Sequence, residues 1–411
     1  MQKIIIVGTG DYYKNIIAPS LELMSQEGLI EVVCTVGMET VLDSAKPISF
    51  KNIEHRIRKP GESLSFLLSD FKGQNIAVIL GHANEFHVSD SVDLVNNGFK
   101  VMVEKPYCID KEQMGIMKDL IINYSDKIVP LEYYLMMKSV PLLIFAGKVQ
   151  NDSFYFTNEK ILKIYDGMHT LGLDLKGLSG KLEEFIGKPR SILVEVLEGE
   201  GDTGKIDHRG PHLCELKRGG GMIQDLGIHA LSPIFALEDY FGEIDESFKD
   251  GKVRIAKSNE YIEMAKSRFQ LSEREIGESY AEFEFVTSKN VPVFVSVGKY
   301  VFGDRNQRRI VVIGSEGRLY FDLSSCTLYI ARFDSQEVKV LEIPKMPSSK
   351  YYPVVRLSSE TLNGKKIFNF DVTQKVLKTQ AFVLNVLEKA HRSETLKAFY
   401  NTGVIPREIF K

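Results

Sequence analysis

Lys3-Ile4-Ile5-Ile6-Val7-Gly8-Thr9-Gly10 opens the chain with a β-branched run that ends in two glycines. A segment apolar at every position, and not only at alternate ones, predicts a strand buried on both faces, as in parallel sheets. Ile16, Ile17, Leu21 and Met24 then recur at helical spacing. Strand, glycine turn and helix in this order form the context in which backbone N–H groups can hold a dinucleotide pyrophosphate. Tyr13 stands where a third glycine would complete the fingerprint, and Pro19 predicts a kinked or delayed helix. A tight strand-to-helix turn without a ligand has the same local sequence.

The pattern repeats downstream. Glu31–Val36 predicts a second strand that ends in Thr35-Val36-Gly37. An acidic residue at that end would bind a ribose 2′-hydroxyl and a basic one would accept a 2′-phosphate. Glu39, slightly beyond, leans toward NAD but leaves NAD or NADP open. Ile76–Leu80 is a further buried strand, followed by Gly81-His82-Ala83-Asn84-Glu85-Phe86-His87 and a helix marked by Val88, Val92 and Val95 with Gly98 as its stop. Lys100–Val103 is a strand that runs into Glu104-Lys105-Pro106, and Asp110 with Gln113 has capping-box spacing for the next helix. Lys127–Leu131 is one more short strand. This alternation predicts an α/β domain over residues 1–135, with a doubly wound parallel sheet. Ligands of such sheets bind beyond the carboxyl ends of the strands, where Lys105 sits; a solvated loop lysine would look the same.

At 411 residues the chain exceeds one ordinary core, so a second domain is expected over residues 136–411. The composition of the whole chain, 44% hydrophobic and 26% charged, is that of a soluble globular protein. A net charge of −3 implies no general attraction to nucleic acid or to an anionic membrane. No apolar run reaches the length of a membrane span. Cys34, Cys108, Cys214 and Cys326 are far apart and show no C-x-x-C spacing. The first residues lead straight into a strand, so a cytoplasmic location is expected.

The second domain is organised by Gly219-Gly220-Gly221-Met222-Ile223-Gln224-Asp225-Leu226-Gly227-Ile228-His229. Three glycines let the chain turn sharply or pass close to a neighbour. The residues after them predict a helix on which Asp225 and His229, four apart, share one face. A carboxylate beside an imidazole is a proton-handling pair, and it is also an ordinary local ion pair. Upstream, Asp207-His208-Arg209-Gly210-Pro211-His212 could reach a polyhydroxyl or anionic substrate; its spacing fits no familiar zinc signature, and no metal is assigned. Ser191–Leu197 predicts a strand. Ala281, Phe283, Phe285, Val291, Val293, Val295 and Val297 alternate on one side. Arg309–Ile313 and Arg318–Phe321 predict a hairpin. Lys299, Arg305 and Arg308 line either the pocket or a solvated sheet edge. Asp371 and Gln374 cap a final helix over about 372–391. The valine run, with Tyr300 and Phe302, offers more apolar surface than one helix layer needs, so a homodimer or homotetramer is expected.

Taken together, Gly8-Thr9-Gly10, Asn84 and His87, Glu104-Lys105-Pro106 and the glycine triplet before Asp225-x-Gly227-x-His229 resemble the glucose–fructose oxidoreductase / inositol dehydrogenase / MocA (Gfo/Idh/MocA) family of NAD(P)-dependent oxidoreductases. Gly314-Ser315-Glu316-Gly317 is similar to that family's turn between sheet strands. The resemblance implies an N-terminal Rossmann domain and a C-terminal α+β domain with a large open, mostly antiparallel sheet. It implies a catalytic group of Lys105, Asp225 and His229. It places an NAD or NADP cofactor on Gly8, Thr9, Gly10, Asp11, Tyr12, Thr35, His82, Asn84, His87, Glu104 and Lys105. A small polyhydroxyl substrate (a sugar, sugar derivative or cyclitol) would meet Tyr133, Lys138, His208, Arg209, His212, Asp225 and His229. His229 would move the hydroxyl proton, Asp225 would support it and Lys105 would polarise the reacting oxygen. Gly81-His82-Ala83 departs from the family's usual Ala-Thr-Pro, and Lys138 before Pro141 takes the place of an arginine. Residues 145–185 exceed the family's spacing and read as an insertion; Asp166-x-x-His169 within them puts two polar groups in the pocket or, as the favoured reading, forms a local helix pair. A nucleotide-bound sensor without turnover and a cofactor-assisted glycosidase are the alternative functions.

Overall fold

The computed structural model describes residues 2–10, 13–38, 50, 53–149, 180–199, 210–299, 306–335, 338–342 and 351–392. Asp11, Tyr12, Glu39, Asp166, His169, Asp207, His208, Arg209, Tyr300, Phe302 and Arg305 lie outside the described residues, as do residues 150–179 of the 145–185 segment. The chain divides into two units, Met1–Met137 with Met346–Ile367, and Lys138–Lys345 with Phe368–Lys411. The first unit therefore takes in a later segment that a simple division at residue 135 leaves out. No helix among the described residues is long and apolar enough to cross a membrane.

In the first unit β1 (Gln2–Val7), β2 (Ile30–Met38), β3 (Glu54–Arg58), β4 (Ile76–Leu80), β5 (Lys100–Glu104) and β6 (Ile128–Leu131) form one sheet in the order β3-β2-β1-β4-β5-β6. Every pairing is parallel. This is the doubly wound order in which the strand sequence reverses beside β1. Ile4, Ile5, Ile6 and Val7 are at most 1% exposed, as a strand covered on both faces requires. The chain leaves β1 through a wide π turn, Tyr13–Ile17, and the regular helix starts only at Ala18, with Pro19 in its first turn. Asp110 accepts the Gln113 N–H at 2.8 Å and so caps the helix Lys111–Asn123. The returning helix Tyr352–Leu362 is tied to the start of β1, where the Ser359 hydroxyl meets the Gln2 amide oxygen.

In the second unit β7 (Pro189–Glu198), β8 (Lys252–Ala256), β9 (Tyr280–Val286), β10 (Pro292–Lys299), β11 (Gln307–Gly314), β12 (Gly317–Asp322), β13 (Thr327–Arg332) and β14 (Val338–Glu342) form an open sheet in the order β14-β13-β12-β11-β7-β10-β9-β8. Only β7 and β10 pair in parallel; the other neighbours are antiparallel. Against one face lies the helix Met222–Ala236, buried at every residue except Asp225. The final helix Val372–Arg392 packs on it, with the Phe235 and Phe382 rings 5.5 Å apart. Gly227 makes this approach possible, since a Cβ there would come within 3.3 Å of Val383.

The expected role of the valine run needs correction. Val291, Val293, Val295 and Val297 are at most 2% exposed within the single chain, so they belong to the core and offer no surface to a second subunit. Alternation showed one buried face but could not show what buries it. The opposite face carries the exposed apolar side chains, among them Phe294 at 43%, Ile313 at 45% and the neighbouring Tyr320 and Tyr329.

Candidate active site

The carboxyl ends of the first sheet gather most of the residues expected to hold a cofactor. Gly8 has φ +101°, and a Cβ there would fall 2.6 Å from the Gly81 carbonyl oxygen, so only glycine lets β1 and β4 end this close together. A Cβ on Gly10 would meet nothing within 4 Å among the described residues. Thr9 is buried, and the Thr35 hydroxyl bonds His55 Nδ1 at 2.8 Å. His55, on β3, had no signal in the sequence. Beyond β4, His82 Nε2 lies 2.5 Å from Asp90, and Arg58 grips the same carboxylate with two bonds of 2.6 and 2.9 Å. Burial pushes the Asp90 carboxyl up, but His82 and Arg58 outweigh it and hold the group below the ordinary range. Asn84 opens a single turn, Asn84–Phe86. Glu104 is buried, and its carboxylate accepts the Lys105 N–H at 3.2 Å.

His87 is fully buried, with Nδ1 2.8 Å from the Pro106 carbonyl and Nε2 3.2 Å from that of His82. It therefore braces the loop that presents Lys105. Burial is the largest cause that lowers its pKa, from 6.5 to about 3, so the folded protein keeps it neutral. Between those values the unfolded chain binds more protons than the folded one. Stability is thus full above about 6.5 and lost as pH falls through the window, by up to ~1.4 kcal/mol per pH unit. Denaturant midpoints between pH 7 and 4 are expected to fall more steeply for wild type than for His87→Gln; parallel slopes would contradict this.

The site in the second unit is built on the helix Met222–Ala236. Its approach is fixed by Gly221, at φ +110°, where a Cβ would lie 2.6 Å from Glu278 Oε1. That carboxylate, fully buried, accepts the Ile223 N–H at 2.7 Å and caps the helix start. On the next turns Asp225 and the 9% exposed His229 stand one above the other. Asp225 Oδ2 lies 2.9 Å from Lys299 Nζ, which also lies 3.1 Å from Glu198. Lys299 is only 4% exposed, which excludes the solvated edge, one of its two expected placements. Arg308, 2.6 Å from Glu198, closes the row. Burial pushes Glu198 up, but Lys299 and Arg308 overcome it and lower its pKa to about 2.

The other expected substrate contacts among the described residues are Tyr133, Lys138 and His212. Tyr133, in the first unit, stacks on Tyr351 with centroids 5.8 Å apart. Lys138 Nζ donates to the Ser324 carbonyl at 3.1 Å. His212 sits half-buried in the short turn Pro211–Leu213.

A dinucleotide fits the first unit on two observations made among the described residues: the open space at Gly10, and two buried polar atoms, Tyr13 Oη and His82 Nδ1, that have no hydrogen-bond partner there. No protein-family model matches the chain, and no curated protein matches it in sequence. Solved structures do match. A levoglucosan dehydrogenase in complex with NADH and levoglucosan is similar at TM-score 0.64 and 12% identity, over 95% of this chain and 97% of that one. A 3-ketoreductase from Actinomadura kijaniata in complex with TDP-benzene and NADP is similar at TM-score 0.56 and 16% identity, over 95% and 97%. A Gfo/Idh/MocA family oxidoreductase from Vibrio cholerae gives TM-score 0.58 and 12% identity, over 95% and 99%. A parallel sheet in the order 3-2-1-4-5-6, an open eight-stranded sheet and full-length likeness to these structures give this chain the fold of the Gfo/Idh/MocA oxidoreductases.

Proposed function

We propose that the protein is an NAD(P)-dependent oxidoreductase that moves a hydride between the nicotinamide and a hydroxyl-bearing carbon of a sugar, sugar derivative or cyclitol. The observation that carries this reading is the Asp225–His229 pair on a helix buried everywhere except at Asp225, in a chain with a dinucleotide-type sheet. The solved structures of this fold that hold NADH with levoglucosan, or NADP with a TDP compound, support it.

Gly8, Thr9, Gly10, Thr35, His82, Asn84, Glu104 and Lys105 are proposed to hold the cofactor. The bound nicotinamide supplies a hydride acceptor or donor. His229 takes the hydroxyl proton as the carbon gives up its hydride, and returns it in the reverse direction, which requires a neutral imidazole for oxidation. Asp225 orients His229 and binds substrate. Lys105 donates to the reacting oxygen as negative charge develops on it. Tyr133, Lys138 and His212 are kept as candidate substrate contacts.

The test is the change in nicotinamide absorbance when purified protein meets sugars, sugar phosphates and inositols with each cofactor. At least one substrate is expected to turn over. Tight cofactor binding without any turnover would favour the sensor, and release of sugar without net cofactor reduction the glycosidase.

The assembly is proposed to be a homodimer or homotetramer formed through the outward face of the second sheet. Phe294, Ile313, Tyr320, Tyr329 and Val338 give this face an apolar character that a lone subunit would leave wet. Sedimentation at micromolar concentration is expected to show a dimer or larger, and Tyr320→Asp to shift it toward monomer. A wild-type monomer at that concentration would overturn the assembly.

A further inference from the structure

Three neighbouring strands of the second unit interrupt their inward-facing stripes with a charge near the same end. Side chains alternate along a strand, so residues two apart share a face. On β10 the stripe Val293, Val295, Val297 continues to Lys299; on β7 the stripe Ile192, Val194, Val196 continues to Glu198; on β11 Arg308 precedes Ile310 and Val312. The ladder pairs Lys299 directly with Glu198, and Arg308 with Val196. Asp225 reaches down to this row from the helix. The result is a line of alternating charges, Asp225, Lys299, Glu198, Arg308, with contacts of 2.9, 3.1 and 2.6 Å.

A buried ion pair is poor value as a stabiliser. Desolvation consumes most of its attraction, and apolar replacements are often neutral or better. A further valine at position 299 would simply extend the stripe. The charge is therefore best accounted for by what it does to Asp225. We infer that Lys299 is a positioning residue: it fixes the Asp225 carboxylate against the sheet and balances its charge, and through Asp225 it sets the proton affinity of His229. This rests on the reading of Asp225 and His229 as the working pair.

Among the described residues, Lys299 is the cation in contact with Asp225. From β7 and β11 come Glu198 and Arg308, which are paired with each other. Cys214 and Tyr261 lie close enough to interact electrostatically with Asp225, but burial pushes the thiol to about 11 and the phenol well above 10, so both are neutral. Glu278, at the helix start, is occupied by the Ile223 N–H and by His391 at 3.2 Å. The final helix presents the neutral Gln380 to Gln224. Without Lys299, Asp225 would lose the cation that lies 2.9 Å from it, and its carboxylate would favour imidazolium at His229. A base protonated at neutral pH cannot accept a hydroxyl proton.

The test reads His229 directly. With histidine ring carbons labelled, NMR follows each imidazole as pH changes, and His229→Asn identifies the signal among the eight histidines. Lys299→Met is expected to raise the His229 midpoint by about one pH unit, for a charge at short range in a partly buried site. Glu198→Gln is expected to lower it, and Lys299→Arg to leave it near the wild-type value. A packing defect has no reason to move the midpoint in opposite directions when opposite charges are removed. If Lys299→Met does not fold, Glu198→Gln decides: a lowered midpoint supports the inference and an unmoved one overturns it. The same midpoint in all variants also overturns it. The titration needs no substrate. An unmoved midpoint in a protein that turns over therefore removes only the role of Lys299, whereas absent turnover in wild type removes the proposed reaction.

Discussion

His229→Asn is expected to lower turnover by about 10²–10⁴ in both directions, the usual contribution of a positioned acid–base group. Asparagine fits the space and can hydrogen-bond, but it cannot take a proton. The helix should tolerate the change, because its start is held by Glu278 and its sides by the sheet and the final helix. Cofactor affinity should stay the same, since the proposed cofactor residues all belong to the first unit. The pH dependence follows from the role. An ordinary imidazole titrates near ~6.5, so wild-type oxidation should fall as pH drops from about 7 to 6, and carbonyl reduction should show the opposite preference. Single-turnover hydride transfer and cofactor titration on the same samples separate the two effects. A variant that transfers hydride at the wild-type rate, with an unchanged pH profile, would remove His229 from the chemistry.

Lys105→Ala is expected to lower turnover by about 10²–10³, as when one donor to a developing oxyanion is removed. The loop that carries Lys105 is held by other groups. Glu104 accepts the Lys105 N–H, a backbone contact the variant keeps, and His87 holds the Pro106 carbonyl. Thermal stability should therefore match wild type within the small range of surface substitutions, ~0.5 kcal/mol. Lys105→Arg is not expected to restore the rate, because a planar fork cannot place one compact charge where an ammonium did. Wild-type turnover in Lys105→Ala would exclude the lysine from the site.

The sequence was most legible where local signals agreed. The all-apolar run Ile4–Val7, the glycines after it and the capping spacings at Asp110 and Asp371 each found their predicted element. Pro19 delayed its helix as expected. β3 escaped notice because Glu54-His55-Arg56-Ile57-Arg58 is an edge strand with no apolar pattern. The return of Tyr352–Leu362 to the first unit is a long-range event without a local signature. Lys299 was readable in principle by parity, since it continues the Val293–Val297 stripe, but a charge at the end of a strand suggests solvent. Glu278 gave no signal, because its burial depends on the helix start it caps.

The central claim, hydride transfer to a polyhydroxyl carbon, is tested most directly by an isotope. Reduced NAD and reduced NADP, deuterated at the reducing carbon, are each mixed with wild-type protein and a panel of keto sugars and inosose-type ketones, and the products are analysed by mass spectrometry. The account predicts deuterium on the new carbinol carbon of at least one product, with matching loss from the cofactor, and none with His229→Asn over the same time. Bound cofactor that keeps its deuterium with every ketone tried would contradict it.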